Sequence, residues 1–247
     1  MVNIDGGAGP DDSDLRVLSR STIDRLLGLL VPGSSLSSVS LMKGGFTNFT
    51  HLVDATAPTG EFMRLVVRWY SDLYQDPAEK ARVEYGALRL LDANDVPVAT
   101  AMYLDEAGAV LGSPGIVTSF LPGRLVVSPR SQQGWAAGLA NTLARIHSIR
   151  CDEPTRDVLF DAEPVVTYFL DWDGFPEKLA SHLDGSAVWD VIQSLKKSAR
   201  QVLHGLVHTD FWMGNVLWSR NEISGIIDWE TAAYGDPAID VAYCRMD

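Results

Sequence analysis

His208-Thr209-Asp210-Phe211-Trp212-Met213-Gly214-Asn215, with Asp228 beyond it, is the stretch on which the reading of this chain turns. It is an H-x-D with an Asn five residues after the Asp, then a second Asp set among apolar neighbours. A lone H-x-D carries little information, but the full set is what phosphoryl transfer requires. The transition state of that reaction is loose and spreads charge over phosphate oxygens, so positioning and neutralisation do most of the work. Mg²⁺ neutralises, taking hard oxygen ligands in octahedral geometry and keeping several waters. Asp228 offers it a carboxylate and Asn215 an amide carbonyl. Asp210 is then free to accept, or to orient, the proton of an attacking hydroxyl. His208 joins Asp210 in the expected catalytic set.

The residues around the motif support that reading. Val216-Leu217-Trp218 and Ile223–Ile227 flank a polar turn at Arg220-Asn221-Glu222. A tight hairpin there brings Asn215 and Asp228 side by side at its open end, as two ligands of one ion require.

Further out, the chain changes character once. Residues 1–14 are rich in Gly and Asp and have little to bury, so 1–20 is expected to be a mobile arm. Ser21–Leu30 reads as a helix with Ser21 or Thr22 as N-cap and Pro32-Gly33 as its stop. Val39–Met42, Phe49–Ala55 and Phe62–Tyr70 read as strands of an antiparallel meander, divided by Gly44-Gly45 and Pro58-Thr59-Gly60. A helix over Pro77–Ala93 and strands at Ala99–Leu104 and Gly115–Phe120 follow, and Leu121-Pro122-Gly123 reads as a hinge. After it, Gln132–Ile149 and Ala187–Leu203 are helical in pattern, with strands only near the end. The expectation is an α+β fold: a small antiparallel β lobe with one helix over 21–121, and a larger, mainly helical lobe over 122–247.

Composition narrows the partners. Of 247 residues, 46% are hydrophobic and 21% charged, an ordinary globular balance. The net charge is -12, which argues against a nucleic-acid partner and suits a cationic one. No stretch approaches the ~18 apolar residues of a membrane span. The start lacks a basic region followed by an apolar run, so no signal peptide is expected. Cys151 and Cys244 have no metal spacing and read as reduced thiols of a cytoplasmic protein.

Three motifs in order now carry a resemblance. His208–Asn215, Ile226-Ile227-Asp228-Trp229-Glu230 and Gly235-Asp236-Pro237-Ala238-Ile239-Asp240-Val241-Ala242 resemble the aminoglycoside phosphotransferase and choline kinase family, which has the protein-kinase fold. More weakly, Leu41–Thr50 resembles its nucleotide-covering loop, Glu84-Tyr85-Gly86-Ala87-Leu88 its first-lobe helix, Ser119–Gly123 its hinge, and Leu143-Ala144-Arg145-Ile146-His147 a helix beneath the site. The resemblance covers about residues 25–247. It implies a kinase using ATP or GTP and Mg²⁺ on a small-molecule hydroxyl, with Asp210 as base and Asn215 and Asp228 on the metal. It implies that Asp240 braces the catalytic loop; from the residues alone, Asp240 equally reads as a helix N-cap. Glu230 reads either as a metal neighbour or as a solvated acid.

Two departures stand out. Protein kinases place a Lys on the third strand, paired with a helix Glu. Here the strand Arg64-Leu65-Val66-Val67-Arg68 has none. Arg68 is the candidate, with Glu84 as partner, because a guanidinium grips phosphate bidentately; a surface arginine is the bland alternative. Lys43 is the other phosphate candidate, beside Gly44 and Gly45, whose bare backbone lets phosphate approach. Second, the chain stops at Cys244-Arg245-Met246-Asp247, inside what the resemblance implies is a longer helix, so part of the acceptor wall is expected to be missing.

The acceptor is read from residues 157–184. Asp161, Glu163, Asp171, Asp173, Glu177 and Asp184 accompany Tyr168, Trp172 and Phe175, and Lys178 is the one lysine there. Acids mixed with aromatics suit an ammonium group, so an aminoglycoside-like or amino-alcohol acceptor is expected. His147 reads as a core or capping histidine. Two rival readings remain: a non-catalytic nucleotide-binding protein, and a hydrolase with a metal on His204 and His208.

Overall fold

The computed structural model describes residues 18–42, 48–71, 76–164, 175, 177–198 and 203–246. The chain forms two compact units. The first comprises residues up to Arg89 and Ala99–Leu121; the second comprises Leu90–Val98 and everything from Pro122 onward. The sequence reading gave 21–121 to one lobe; Leu90–Val98 instead packs with the second unit.

In the first unit, α1 (Arg20–Leu30) precedes β1 (Ser35–Leu41), β2 (Phe49–Thr56) and β3 (Phe62–Trp69); α2 (Pro77–Asp92), β4 (Ala101–Asp105) and β5 (Gly115–Ser119) complete it. The strands form one antiparallel sheet in the order β1-β2-β3-β5-β4. The turn between β1 and β2 is closed by Met42 N–H on the Thr50 carbonyl. Lys43, Gly44 and Gly45 lie outside the described residues.

Helix α1 begins one residue earlier than the sequence suggests. Ser19, not Ser21 or Thr22, is the N-cap, its hydroxyl accepting the Thr22 N–H at 3.1 Å. A cap must reach the amide three residues on, as the Ser19 hydroxyl does, and the helical period places Ile23, Leu26 and Leu27 together on one face. Those three are buried against Val53, Ala55, Leu65, Val67 and Val117 of the sheet. Each such side chain contributes about 1.5–3 kcal/mol relative to exposure. Side chains alternate along a strand, so Arg68 points away from the face that carries Leu65 and Val67.

The second unit holds β6 (Arg124–Leu125), α3 (Gln132–His147), α4 (Glu153–Arg156), β7 (Phe160–Asp161), α5 (Glu177–Ala180), α6 (Gly185–Ser198), β8 (Gly205–Val207), a 3₁₀ turn (Met213–Asn215), β9 (Val216–Ser219), β10 (Glu222–Ile226), β11 (Ala233–Gly235) and α7 (Ala238–Met246). The expected terminal hairpin is β9–β10, with β6 added on its other side. A second small sheet, β7-β11-β8, went unforeseen because strands of two or three residues show no alternation. Val207 and Ala233 of that sheet, with Ala162, form a small core against which Ile239 of α7 packs. Leu90–Val98 joins this unit through the Pro97 carbonyl, which accepts the Ile226 N–H, and the Asp95 carbonyl, which accepts from Arg145.

Candidate active site

The H-x-D segment follows β8 and is held from beneath by α7. Asp240, in the first turn of α7, is fully buried. Its carboxylate accepts the His208 N–H at 2.9 Å and the Thr209 N–H at 2.8 Å, and meets His147 Nε2 at 2.9 Å. It therefore braces the loop and does not cap its own helix; Asp236 accepts the Ala238 N–H at that helix start. His147 is the satisfied histidine expected at the end of α3.

Thr209 takes φ 67, left-handed backbone that a β-branched residue occupies only when its surroundings compel it. Two bonds from Asp240 and Thr231 compel it here: the Asp240 contact, and its own hydroxyl on the Thr231 carbonyl at 2.9 Å. Thr231 was not singled out from sequence. Its role arises from contact with a residue 22 positions away, which no local pattern reports.

His208 is fully buried. Its Nε2 donates to the Ile227 carbonyl at 2.9 Å, and its Nδ1 accepts the Asp210 N–H at 3.3 Å. The Trp229 ring lies against it with centroids 4.3 Å apart. The ring thus has both nitrogens engaged inside the protein. The ring therefore ties the H-x-D segment to the strand end at Ile227, and neither nitrogen is left for a metal shared with His204. Among the described residues no three His, Cys, Asp or Glu side chains converge as a metal cage.

Asp210 is half-buried and its carboxylate is oriented by Asn215, whose amide nitrogen donates to Asp210 Oδ2 at 3.0 Å and to the Asp210 carbonyl at 2.9 Å. Burial raises the Asp210 pKa above its ordinary 3.8; the neighbouring Asp228 carboxylate adds to the rise, while the Asn215 hydrogen bond opposes it.

Turning its NH₂ to Asp210 leaves Asn215 presenting its carbonyl oxygen as the remaining side-chain acceptor. The Ile227 N–H donates to the Asn215 backbone carbonyl at 3.0 Å, extending the β9–β10 ladder past the Ile226–Val216 pair. Asp228 is the next residue, held at φ 73. One amide oxygen and one carboxylate at a hairpin's open end fit a hard dication that takes its other ligands from phosphate and water. Glu230 is half-buried, between the two alternatives read for it.

The first unit carries the other charged constellation. Arg68 Nη1 pairs with Glu84 Oε1 at 3.0 Å, with side chains 15% and 6% exposed. The Tyr70 hydroxyl donates to the other Glu84 oxygen, and the Arg68 guanidinium lies 5.4 Å from the Tyr70 ring centroid. This is a built ion pair, not a surface arginine. Lys80, one turn before Glu84 on α2, is also buried and donates to the Ser71 carbonyl at 3.2 Å; the sequence reading passed it over.

A model of the phosphotransferase enzyme family (APH) matches residues 38–247. The chain belongs to that family. Mouse acyl-CoA dehydrogenase family member 10 is 25% identical over 170 residues, 65% of this chain; the chain spans only 16% of that protein's length. The 4-hydroxytryptamine kinase of Psilocybe cyanescens is 22% identical, covering 92% of this chain and 72% of its own. Among solved structures, APH(2'')-IIa in its streptomycin–ATP ternary complex superposes with a TM-score of 0.59 at 16% identity, covering 91% of this chain and 76% of its own. The fold is accordingly the protein-kinase-like α+β fold of the family.

For this phosphotransferase family member, Tyr168–Asp173, the segment expected from sequence to meet the acceptor, lies outside the described residues. Of the flanking acids, Asp161, Glu163, Glu177 and Asp184 are exposed. Phe175 packs edge-on against Trp189 at 5.8 Å. Neither Cys151 nor Cys244 is in a disulfide. No helix among the described residues is long and apolar enough to cross a membrane.

Proposed function

We propose that this chain transfers the γ-phosphoryl group of ATP to a hydroxyl of a small molecule that also bears positive charge, in the cytoplasm. The observation that carries the reading is the Asn215 amide: its nitrogen fixes the Asp210 carboxylate, which leaves its oxygen as an acceptor, and its backbone carbonyl bonds Ile227, the neighbour of Asp228. In this reading Asp210 orients the attacking hydroxyl and takes its proton, a task suited to a carboxylate whose pKa burial has raised. Asn215 and Asp228 would hold Mg²⁺, which supplies charge neutralisation to the phosphates. Arg68, held by Glu84 and Tyr70, would take phosphate oxygens, with Lys43, Gly44 and Gly45 as further phosphate contacts.

The ATP assignment is supported by the fold neighbour solved with ATP. The cationic acceptor is supported by the net charge of -12 and by a relative named for 4-hydroxytryptamine, which pairs a hydroxyl with an amine. The test is ATP consumption against matched cationic, neutral and anionic hydroxyl compounds at low and high salt. Turnover with the cationic set, weakened by salt, is expected. Preference for a neutral acceptor without salt dependence would overturn the acceptor; no turnover with any hydroxyl compound would overturn the activity.

A further inference from the structure

The second unit carries a groove of about 630 Å³ beside the start of α3 and the turn of the β9–β10 hairpin. Three arginines line it, Arg124, Arg130 and Arg220, and no carboxylate does. All three are exposed, and none has an acidic partner among the described residues. A chain with 32 acids and 20 basic residues would be expected to neutralise such a cluster. It has not done so here.

Three further observations point to the same groove. Trp135 and Trp218 both line it and stack on one another, with centroids 6.5 Å apart and planes at 21°. The indole N–H of each is buried without an acceptor among the described residues, and Trp218 is only 6% exposed. Next, Arg220 sits at φ 50 and Asn221 at φ 69 in the two-residue turn between Ser219 and Glu222. Such turns favour Asn and Gly. An arginine held there accepts backbone strain, and such strain gathers where a side chain is needed. Last, the first turn of α3 contains no acid, and Ser131 caps only the Gly134 N–H, leaving the positive end of the helix open.

We propose that this groove binds a small organic phosphate. Guanidinium forks match phosphate oxygens, and a helix N-terminus adds to them. Leu125 and Val127, half or more exposed, and the Trp135 ring offer an apolar wall for the rest of the molecule. A bare anion would leave that wall unused, and a neutral ligand would leave the arginines unpaired.

The probe is phenyl phosphate, titrated into the full ¹⁵N-labelled chain, with inorganic phosphate and benzoate as comparison arms. The readout is the pair of indole N–H signals of Trp135 and Trp218, assigned from Trp135→Phe and Trp218→Phe; phosphate bound elsewhere does not move these two together. Both are expected to shift saturably with half-saturation below about 1 mM, and inorganic phosphate to bind about tenfold more weakly. In Arg124→Ser/Arg130→Ser/Arg220→Asn the shift should weaken at least about tenfold. Its Trp229 indole signal, hydrogen-bonded to the Ile226 carbonyl, reports whether the fold is kept. Arg220→Asn alone, which relieves the turn, serves as the second variant and should weaken binding while raising stability. No saturable shift by about 10 mM, an unchanged shift in the triple variant, or benzoate binding as well as phenyl phosphate would overturn the proposal.

Discussion

His147 Nε2 lies 2.9 Å from Asp240 Oδ2, and the same carboxylate receives the backbone N–H groups of His208 and Thr209. A histidine at the end of α3 and an acid at the start of α7 thus fix the backbone that presents Asp210. Asp240→Ala would leave the His208 and Thr209 amides buried without acceptors. Each orphaned group costs about 1–3 kcal/mol. Chemical denaturation should show a loss of that order, with His147→Ala costing less because its ring is partly exposed. Equal losses would mean that Asp240 serves His147 more than the loop.

Asp210→Asn separates chemistry from folding. Turnover is expected to fall by about 10²–10⁴, while nucleotide affinity measured by calorimetry stays close to that of the wild type. The variant should also be more stable at neutral pH. Burial raises the Asp210 pKa on folding, so its ionisation costs the folded state. That cost is absent below the ordinary 3.8 and complete above the raised value. The stability gain should therefore vanish as pH falls through that window. A gain that persists in acid would remove burial as its cause.

Turnover of the wild type should follow the same group. Activity is expected to drop as pH falls through the raised Asp210 pKa, and Asp228→Asn, which removes a proposed metal ligand, should abolish turnover at every pH. Asn keeps the left-handed backbone at φ 73 accessible. In the same variant the Mg²⁺-dependent part of nucleotide affinity should disappear. Affinity for Mg-ATP equal to the wild type would dismiss Asp228 as a metal ligand.

The Arg68–Glu84 pair is nearly closed to solvent. Removing one partner leaves a stranded charge, so Glu84→Leu should destabilise by about 3–5 kcal/mol. Arg68→Met/Glu84→Leu should recover much of that stability without recovering nucleotide affinity. Additive effects in this double-mutant cycle would show that the two side chains act independently.

Much of this was readable in the order of residues, and the failures have physical causes. The β9–β10 hairpin and the Ile227–Asn215 bond at its open end were legible because a hairpin is a local device: apolar runs on either side of a polar turn dictate which stretches meet. Arg68 and Glu84 were legible as partners only through the resemblance, since a strand and a helix register their side chains through packing. The bonding of His208 was not legible, because an imidazole beside an aspartate looks the same in sequence whether its nitrogens face substrate or, as here, a backbone carbonyl. Lys80 and Thr231 were missed because their contacts depend on tertiary closure. Ser19, Ser21 and Thr22 are all competent caps that leave Ile23, Leu26 and Leu27 on one face, so the sequence pattern does not choose among them.

Leu90–Val98 has a consequence for synthesis. A ribosome adds roughly 5–20 residues per second, and this stretch emerges long before the unit that holds it. The first unit has all its residues once Leu121 is out. The Pro97 carbonyl must still wait for the Ile226 amide, near the end of the chain. During that interval Leu91, Val96 and Val98, each buried in the finished protein, lack the contacts of the second unit's last strands. They form a short apolar tether on a nascent chain, the kind of segment that a chaperone shields, and a message truncated between Arg145 and Ile226 would leave it with one of its two described anchors.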